Sequence, residues 1–187
     1  LDKSKIRGFV QIGSSDEYGN NPAPQSETQR EAPISPYSCA KVASTYLLQT
    51  LYKTEGFPAV ILRPFLVYGP GQGVERFIPQ IIKGCINNDK FPTSTGDQLR
   101  DFCYIDNTIE INLLAATTDN KNAINQIYNV AVNDRTSLNQ LYCLIEDALI
   151  QRTTGLKKKN PIYRDFRAGD VRHSQADISK ARKLLNY

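Results

Sequence analysis

The chain has few of the groups that chemistry at a metal or at a nucleophilic triad would need. It contains a single histidine, His173, so a zinc site or a Ser-His-Asp triad would have to be assembled around that residue, and nothing near it in sequence supports either. The four cysteines, Cys39, Cys85, Cys103 and Cys143, show no Cys-x-x-Cys spacing, and each sits among apolar neighbours. They are expected to be buried free thiols of a reducing, cytoplasmic protein rather than disulfides or zinc ligands. The longest apolar runs are far too short to span a bilayer, and no basic-apolar-small pattern opens the chain, so neither a membrane span nor a signal peptide is expected. Neither sign of charge dominates, with 23 Lys and Arg against 19 Asp and Glu. The net charge is +4, and the one basic run, Lys157-Lys158-Lys159, falls between elements, where it is expected to be a solvated loop and not a nucleic-acid patch. There is no internal repeat and no low-complexity segment.

What is present fits one domain, or one and a fraction, in 187 residues. Phe9, Val10 and Ile12 form an apolar run ended by Gly13, which predicts a strand over Lys5 to Ile12. The polar segment Ser14 to Gly19 then sits at the carboxyl end of that strand, where parallel sheets collect ligand-binding groups. Residues 20–34 predict a surface loop. Ser35 is a candidate N-cap, Pro36 suits the first helical position, and Gly56 and Pro58 end the helix. Ala40, Ala43, Leu47, Leu48, Leu51 and Tyr52 are its apolar positions.

Ala59 to Leu62 predicts a buried strand, so strand, loop, helix and strand make the unit that builds parallel sheets. Gly69-Pro70-Gly71-Gln72-Gly73 lacks Gly-x-Gly-x-x-Gly spacing, and Pro70 removes an N–H that an anion would use, so a structural turn is expected there. Helices are predicted over Phe77 to Ile86, from a cap at Asp106 or Asn107 to about Thr117, from a Thr136-Ser137/Gln140 capping box to about Ile150, and over Asp177 to Leu185. Extended segments are predicted at Leu99 to Ile105, Gln126 to Val132 and Ile162 to Phe166, with a polar loop at 152–160.

Tyr37 and Lys41 are four residues apart at the start of the helix that Ser35 opens, so both face one small molecule. A phenol ordinarily titrates near ~10, and a neighbouring ammonium favours the phenolate. Such a pair can exchange a proton with a sugar hydroxyl while hydride moves elsewhere. Tyr-x-x-x-Lys alone is a weak signal. In order along the chain, however, stand Ser-Ser-x-x-Tyr-Gly (Ser14 to Gly19), Tyr-x-x-x-Lys (Tyr37 to Lys41), Leu-Arg-Pro-Phe-x-x-Tyr-Gly-Pro (Leu62 to Pro70), Gly-x-x-x-Arg-Asp-Phe-x-Tyr-Ile-Asp (Gly96 to Asp106) and Arg-x-Gly-Asp-x-Arg-His (Arg167 to His173).

Together these motifs resemble the extended short-chain dehydrogenase/reductases that act on nucleotide-diphosphate sugars, the NAD-dependent epimerase/dehydratase family, over nearly the whole chain. The resemblance implies an α/β fold: the C-terminal part of a Rossmann-like, doubly wound parallel sheet plus a small mixed α/β substrate-binding region. Residues 1–70 would carry late strands and the catalytic helix. Residues 71–187 would be mainly the substrate-binding region, with 99–132 returning a strand and a helix to the sheet.

The resemblance also implies roles. Tyr37 matches the catalytic acid/base, and Lys41 the lysine that holds the nicotinamide ribose of NAD. Ser14 matches a residue bonded to the sugar hydroxyl, and Phe65 a backbone contact to the cofactor. Arg100 and Arg167 match the pair that grips the substrate diphosphate, as planar guanidinium forks suit phosphate. Asp170 resembles a nearby substrate position, and Arg76 and Phe77 fall near the loop over the nucleotide. A homodimer through the helix of residues 36–55 is implied too.

Two departures accompany the resemblance. The glycine-rich strand–turn–helix that binds the NAD pyrophosphate is absent, so about the first third of a family member is expected to lie outside this chain, which by itself is expected to bind NAD poorly. Leu66 stands where many epimerases carry an asparagine. Asp16 occupies the position at which dehydratases and decarboxylases often have Glu, without their Thr-Asp-Glu. The stretch from Arg164 to Ser174 looks most like UDP-N-acetylhexosamine 4-epimerases. A 4-epimerase is therefore the preferred expectation, a 4,6-dehydratase or 4-reductase the second, and a non-catalytic nucleotide-sugar binder the alternative from another class.

Overall fold

The computed structural model describes residues 5–87, 89, 92–93, 95–165 and 173–187. Strand β1 (Phe9–Ile12) leads through a 3-10 turn at Ser15–Tyr18 and a long loop to helix α1 (Pro36–Glu55), followed by β2 (Ala59–Pro64) and β3 (Leu66–Tyr68). Helix α2 (Phe77–Ile86) precedes three short strands, β4 (Pro92–Thr93), β5 (Leu99–Arg100) and β6 (Phe102–Tyr104). Then come α3 (Ile105–Thr117), β7 (Ile127–Val130), β8 (Thr136–Ser137), α4 (Leu138–Ile150), β9 (Ile162–Tyr163) and α5 (Ser179–Leu185).

β2 is the central strand. It runs parallel to β1 on one side and to β7 on the other, with Val10 opposite Val60 and Leu62 opposite Tyr128. Its side chains alternate between two cores. Ala59 and Ile61 pack with Leu48, Leu51 and Phe57 on the α1 side. Val60 and Leu62 pack with Ile111 and Ala115 of α3 and with Ala181 and Leu185 of α5 on the other. A strand covered on both faces reads as an unbroken apolar run, and each fully buried Ile or Leu contributes about 1.5–3 kcal/mol. The fold is thus α/β with a parallel sheet, as expected. Among the described residues there are also three two-stranded ladders: β3 with β6 and β4 with β9, both parallel, and β5 with β8, antiparallel.

Local signals set the helix ends. The Ser35 hydroxyl accepts the Ser38 N–H at 3.1 Å, and the Ser38 hydroxyl accepts the Ser35 N–H at 3.1 Å. Gly56, with φ of 66°, closes α1 in the left-handed region. Ser137 and Gln140 form the expected capping box of α4.

Several expectations need correction. β1 begins at Phe9 and not Lys5. β2 continues two residues past Leu62, because the charge of Arg63 is neutralised inside the protein. The extended segment predicted from Leu99 is two strands broken at Asp101, whose carboxylate turns inward to accept the Val132 and Ala176 N–H groups at 3.0 and 3.1 Å. α3 starts at Ile105 without a side-chain cap, ahead of the expected Asp106 or Asn107. β3 was not foreseen. All four cysteines are free, but only Cys103 is buried, and Cys39 and Cys143 are exposed. Apolar neighbours in sequence do not fix which face of a helix a residue occupies. Among the described residues, no helix is long and apolar enough to cross a membrane, and no three His, Cys, Asp or Glu side chains gather as a metal-ligand group.

Candidate active site

The site begins where β1 stops. Gly13 N–H donates to the Leu62 carbonyl at 2.7 Å, and a Cβ at Gly13 would run into the Glu17 carboxylate and the Leu62 carbonyl. Ser14 then caps the 3-10 turn, its hydroxyl accepting the Asp16 N–H at 3.1 Å. Its own N–H donates to Glu17 Oε1 at 2.9 Å. Gly19 closes the turn at φ of 55°, where a Cβ would collide with the Ala32 backbone.

Tyr37 and Lys41 stand one turn apart on α1. Lys41 Nζ donates to the Ile12 carbonyl at 2.8 Å, which fixes the ammonium at the carboxyl end of β1, and it lies 5.6 Å from the centre of the Tyr37 ring. Tyr37 is 56% exposed.

Ser14, Asp16, Phe65 and Arg100, with Leu66 and Ser174, line one cleft of about 180 Å³. Phe65 and Leu66 also belong to a wider groove of about 710 Å³ that Arg76 and Phe77 line. Tyr37 and Lys41 are outside both linings, and Lys41 meets the chain at the Ile12 carbonyl, two residues before Ser14. Arg100 is nearly buried, with Nη1 donating to the Leu99 carbonyl at 3.2 Å. Arg76 is exposed beside Glu75. Arg167 and Asp170 lie outside the described residues. The end of their motif returns to the site: His173 Nδ1 accepts the Leu99 N–H at 3.3 Å, and Ser174 N–H donates to the Leu99 carbonyl at 3.0 Å.

Beneath the cleft lies an ionic cluster that the motif reading passed over. Arg63, at 0% exposure, donates from Nε to Glu17 Oε2 at 2.9 Å and from Nη2 to Glu31 Oε1 at 2.7 Å. Glu17 also accepts the Thr45 hydroxyl at 3.2 Å, and Glu31 accepts the Tyr46 hydroxyl at 2.9 Å, so both carboxylates bind α1. The guanidinium sits 4.7 Å from the centre of the Tyr18 ring. Tyr18 in turn donates to Asn129 Oδ1 at 2.7 Å. Burial pushes the Tyr18 phenol up to about 12 despite the opposing charge of Arg63. Burial works against ionising Glu31 as well, but the bonds from Arg63 and Tyr46 prevail and hold its carboxyl below the usual range. A signal was available: an arginine adjoining a fully apolar strand needs a counter-charge, and Glu17 sits inside a motif otherwise read as spacer.

A parallel sheet with helices on both faces and a polar-lined cleft at its carboxyl end defines a Rossmann-like α/β protein. The chain belongs to the NAD-dependent epimerase/dehydratase family, whose model matches residues 1–131. It is 31% identical over 183 residues to an uncharacterized UDP-glucose epimerase, YtcB, of Bacillus subtilis (strain 168), with 97% of this chain and 55% of that protein covered. It is 26% identical over 201 residues to a dTDP-glucose 4,6-dehydratase of Salmonella typhimurium, with 100% and 55% covered. The solved structure of a UDP-glucuronic acid 4-epimerase from Bacillus cereus, in complex with UDP-glucuronic acid and NAD, superposes with a TM-score of 0.84 at 30% identity, covering 97% of this chain and 56% of that one. The chain spans about half the length of the curated relatives it matches.

Proposed function

We propose that this chain carries the substrate side of an NAD-dependent enzyme that modifies a nucleotide-diphosphate sugar through a transient 4-keto sugar, and that the reaction is 4-epimerisation of a UDP-sugar such as a UDP-N-acetylhexosamine or UDP-glucose. The observation that carries the reading is the Lys41–Ile12 bond, which holds the Tyr37/Lys41 face of α1 at the strand end from which Ser14 and its cleft begin.

The described residues fit the nicotinamide-ribose end of NAD: an ammonium anchored at a strand terminus and an exposed tyrosine one turn away. NAD, when bound, supplies the hydride acceptor. Tyr37 takes the proton of the sugar hydroxyl and later returns it, a role that contributes about 10²–10⁴-fold. Lys41 holds the ribose, Phe65 offers the cofactor a backbone contact, and Ser14 hydrogen-bonds the reacting hydroxyl. Arg100 and Arg167 grip the diphosphate, Arg76 and Phe77 cover the nucleotide, and Asp170 meets the substrate beside them. The exposed Ala40, Ala43 and Leu47 of α1 support association as a homodimer through that helix.

A second reading, 4,6-dehydration, is favoured by the Asp16 carboxylate, which lines the same cleft as Ser14. The test is to incubate the full-length protein with NAD and a panel of UDP-sugars and dTDP-glucose, and to identify products by NMR. A 4-epimer whose formation falls at least about 100-fold in Tyr37→Phe supports the proposal. Loss of water from the sugar, abolished by Asp16→Asn, selects dehydration. Binding of UDP-sugar without any product selects a non-catalytic binder.

A further inference from the structure

Ser14 and the Tyr37/Lys41 pair belong to different elements, and the reaction proposed above needs their hydroxyls on one sugar atom. Lys41 makes one link between them, through a single bond from Nζ to the Ile12 carbonyl. Glu17 makes a firmer connection. Oε1 accepts the Ser14 N–H at 2.9 Å. Oε2 accepts Arg63 Nε of β2 at 2.9 Å and Thr45 Oγ1 of α1 at 3.2 Å. Thr45 follows Tyr37 and Lys41 at successive intervals of four, so the carboxylate grips the helix on the face that carries the pair. Arg63 lies two residues before Phe65, so the same cluster reaches the third wall of the site. Glu17 is at 0% exposure, and Gly13 leaves room for it.

We propose that Glu17 is a positioning residue: its carboxylate sets the separation between the Ser14 hydroxyl and the Tyr37–Lys41 face of α1, with Arg63 as the cation that holds it in place. The proposal rests on the sugar-modifying reading for its catalytic consequence but not for its geometry. Glu17 touches no substrate. It acts through the Ser14 backbone and through α1, so its loss lowers turnover more than binding, because Arg76 and Arg100 lie on other segments.

The test uses Glu17→Gln and Thr45→Val in the full-length protein, with two readouts. The first is steady-state kinetics on the nucleotide sugar. Glu17→Gln is expected to lower kcat at least tenfold with KM within about twofold, and Thr45→Val to lower kcat several-fold, with the two effects less than additive in the double variant because they break one contact set. The second is amide hydrogen exchange in Ser14 to Tyr18. Thr45→Val, 31 residues away in sequence, is expected to speed exchange there at least fivefold. Unchanged exchange in the turn overturns the proposal, as does a kcat within twofold of the parent in a folded Glu17→Gln protein. If the parent turns over no nucleotide sugar, the functional reading fails, and the exchange result alone decides whether Glu17 joins the turn to α1.

Discussion

Arg63 is fully buried, yet it is not isolated: two carboxylates and an aromatic face surround it. Such an assembly adds little net stability compared with an apolar replacement of the whole, but removing one partner leaves uncompensated charge. Arg63→Met strands Glu17 and Glu31 and is expected to cost about 3–5 kcal/mol, read as a lowered urea midpoint. Tyr18 predicts a second effect. Its phenol titrates near 10 when unfolded and at about 12 when folded, so its contribution is complete below pH 10 and is lost as pH rises toward 12. The loss is about 3 kcal/mol. Tyr128, Tyr142 and Tyr187 are pushed the same way by burial and steepen the alkaline limb. Tyr18→Phe is expected to flatten part of that limb in unfolding measured from pH 9 to 12, and an unchanged limb would contradict this.

Among the elements, α1 is the one most completely specified by local signals: a serine cap, a proline at its first position and a left-handed glycine at its end. Ser35→Ala removes the acceptor for the Ser38 N–H and is expected to cost about 1 kcal/mol by thermal or urea unfolding. With Lys41 held only at Nζ, fraying of that first turn should also loosen Tyr37. The central strand and α1 were legible because apolar runs and caps are local. β3 was not, since three residues ending in Tyr68 carry no period and owe their extended form to β6, 36 positions on, with Leu66 opposite Phe102. The motif residues Ser14, Asp16, Phe65 and Arg100 converge on one cleft, but what supports them was missed: the arginine beside an apolar strand signals that a counter-charge is needed, but not that Glu17, 46 positions away, supplies it or that Thr45, 28 positions from Glu17, joins them.

At the scale of the molecule, one carboxylate ties the C-terminal segment to the sheet. Asp101 accepts N–H groups from Val132 and Ala176, next to Arg100 in the cleft. Asp101→Asn keeps one acceptor and sets an amide N–H₂ against the other donor. It is expected to cost about 1–3 kcal/mol and to raise hydrogen exchange at Ala176. Exchange at Ala176 unaltered by the substitution would show that the segment is held by other bonds.

The loop before α1 is joined to the segment at residues 175–177. Gln25 Oε1 accepts the Gln175 N–H at 3.0 Å across 150 positions, and Gln25 N–H donates to the Gln175 carbonyl at 2.7 Å. Gln25 and Ser174 both line the cleft that Ser14 opens. A ribosome emits the first of these walls long before the second. A nascent chain arrested after β7 therefore has β1, β2 and β7 available to pair, but its cleft stands open on one side. Its sheet can form during synthesis, whereas the ligand site can close only after residue 175 has cleared the exit tunnel.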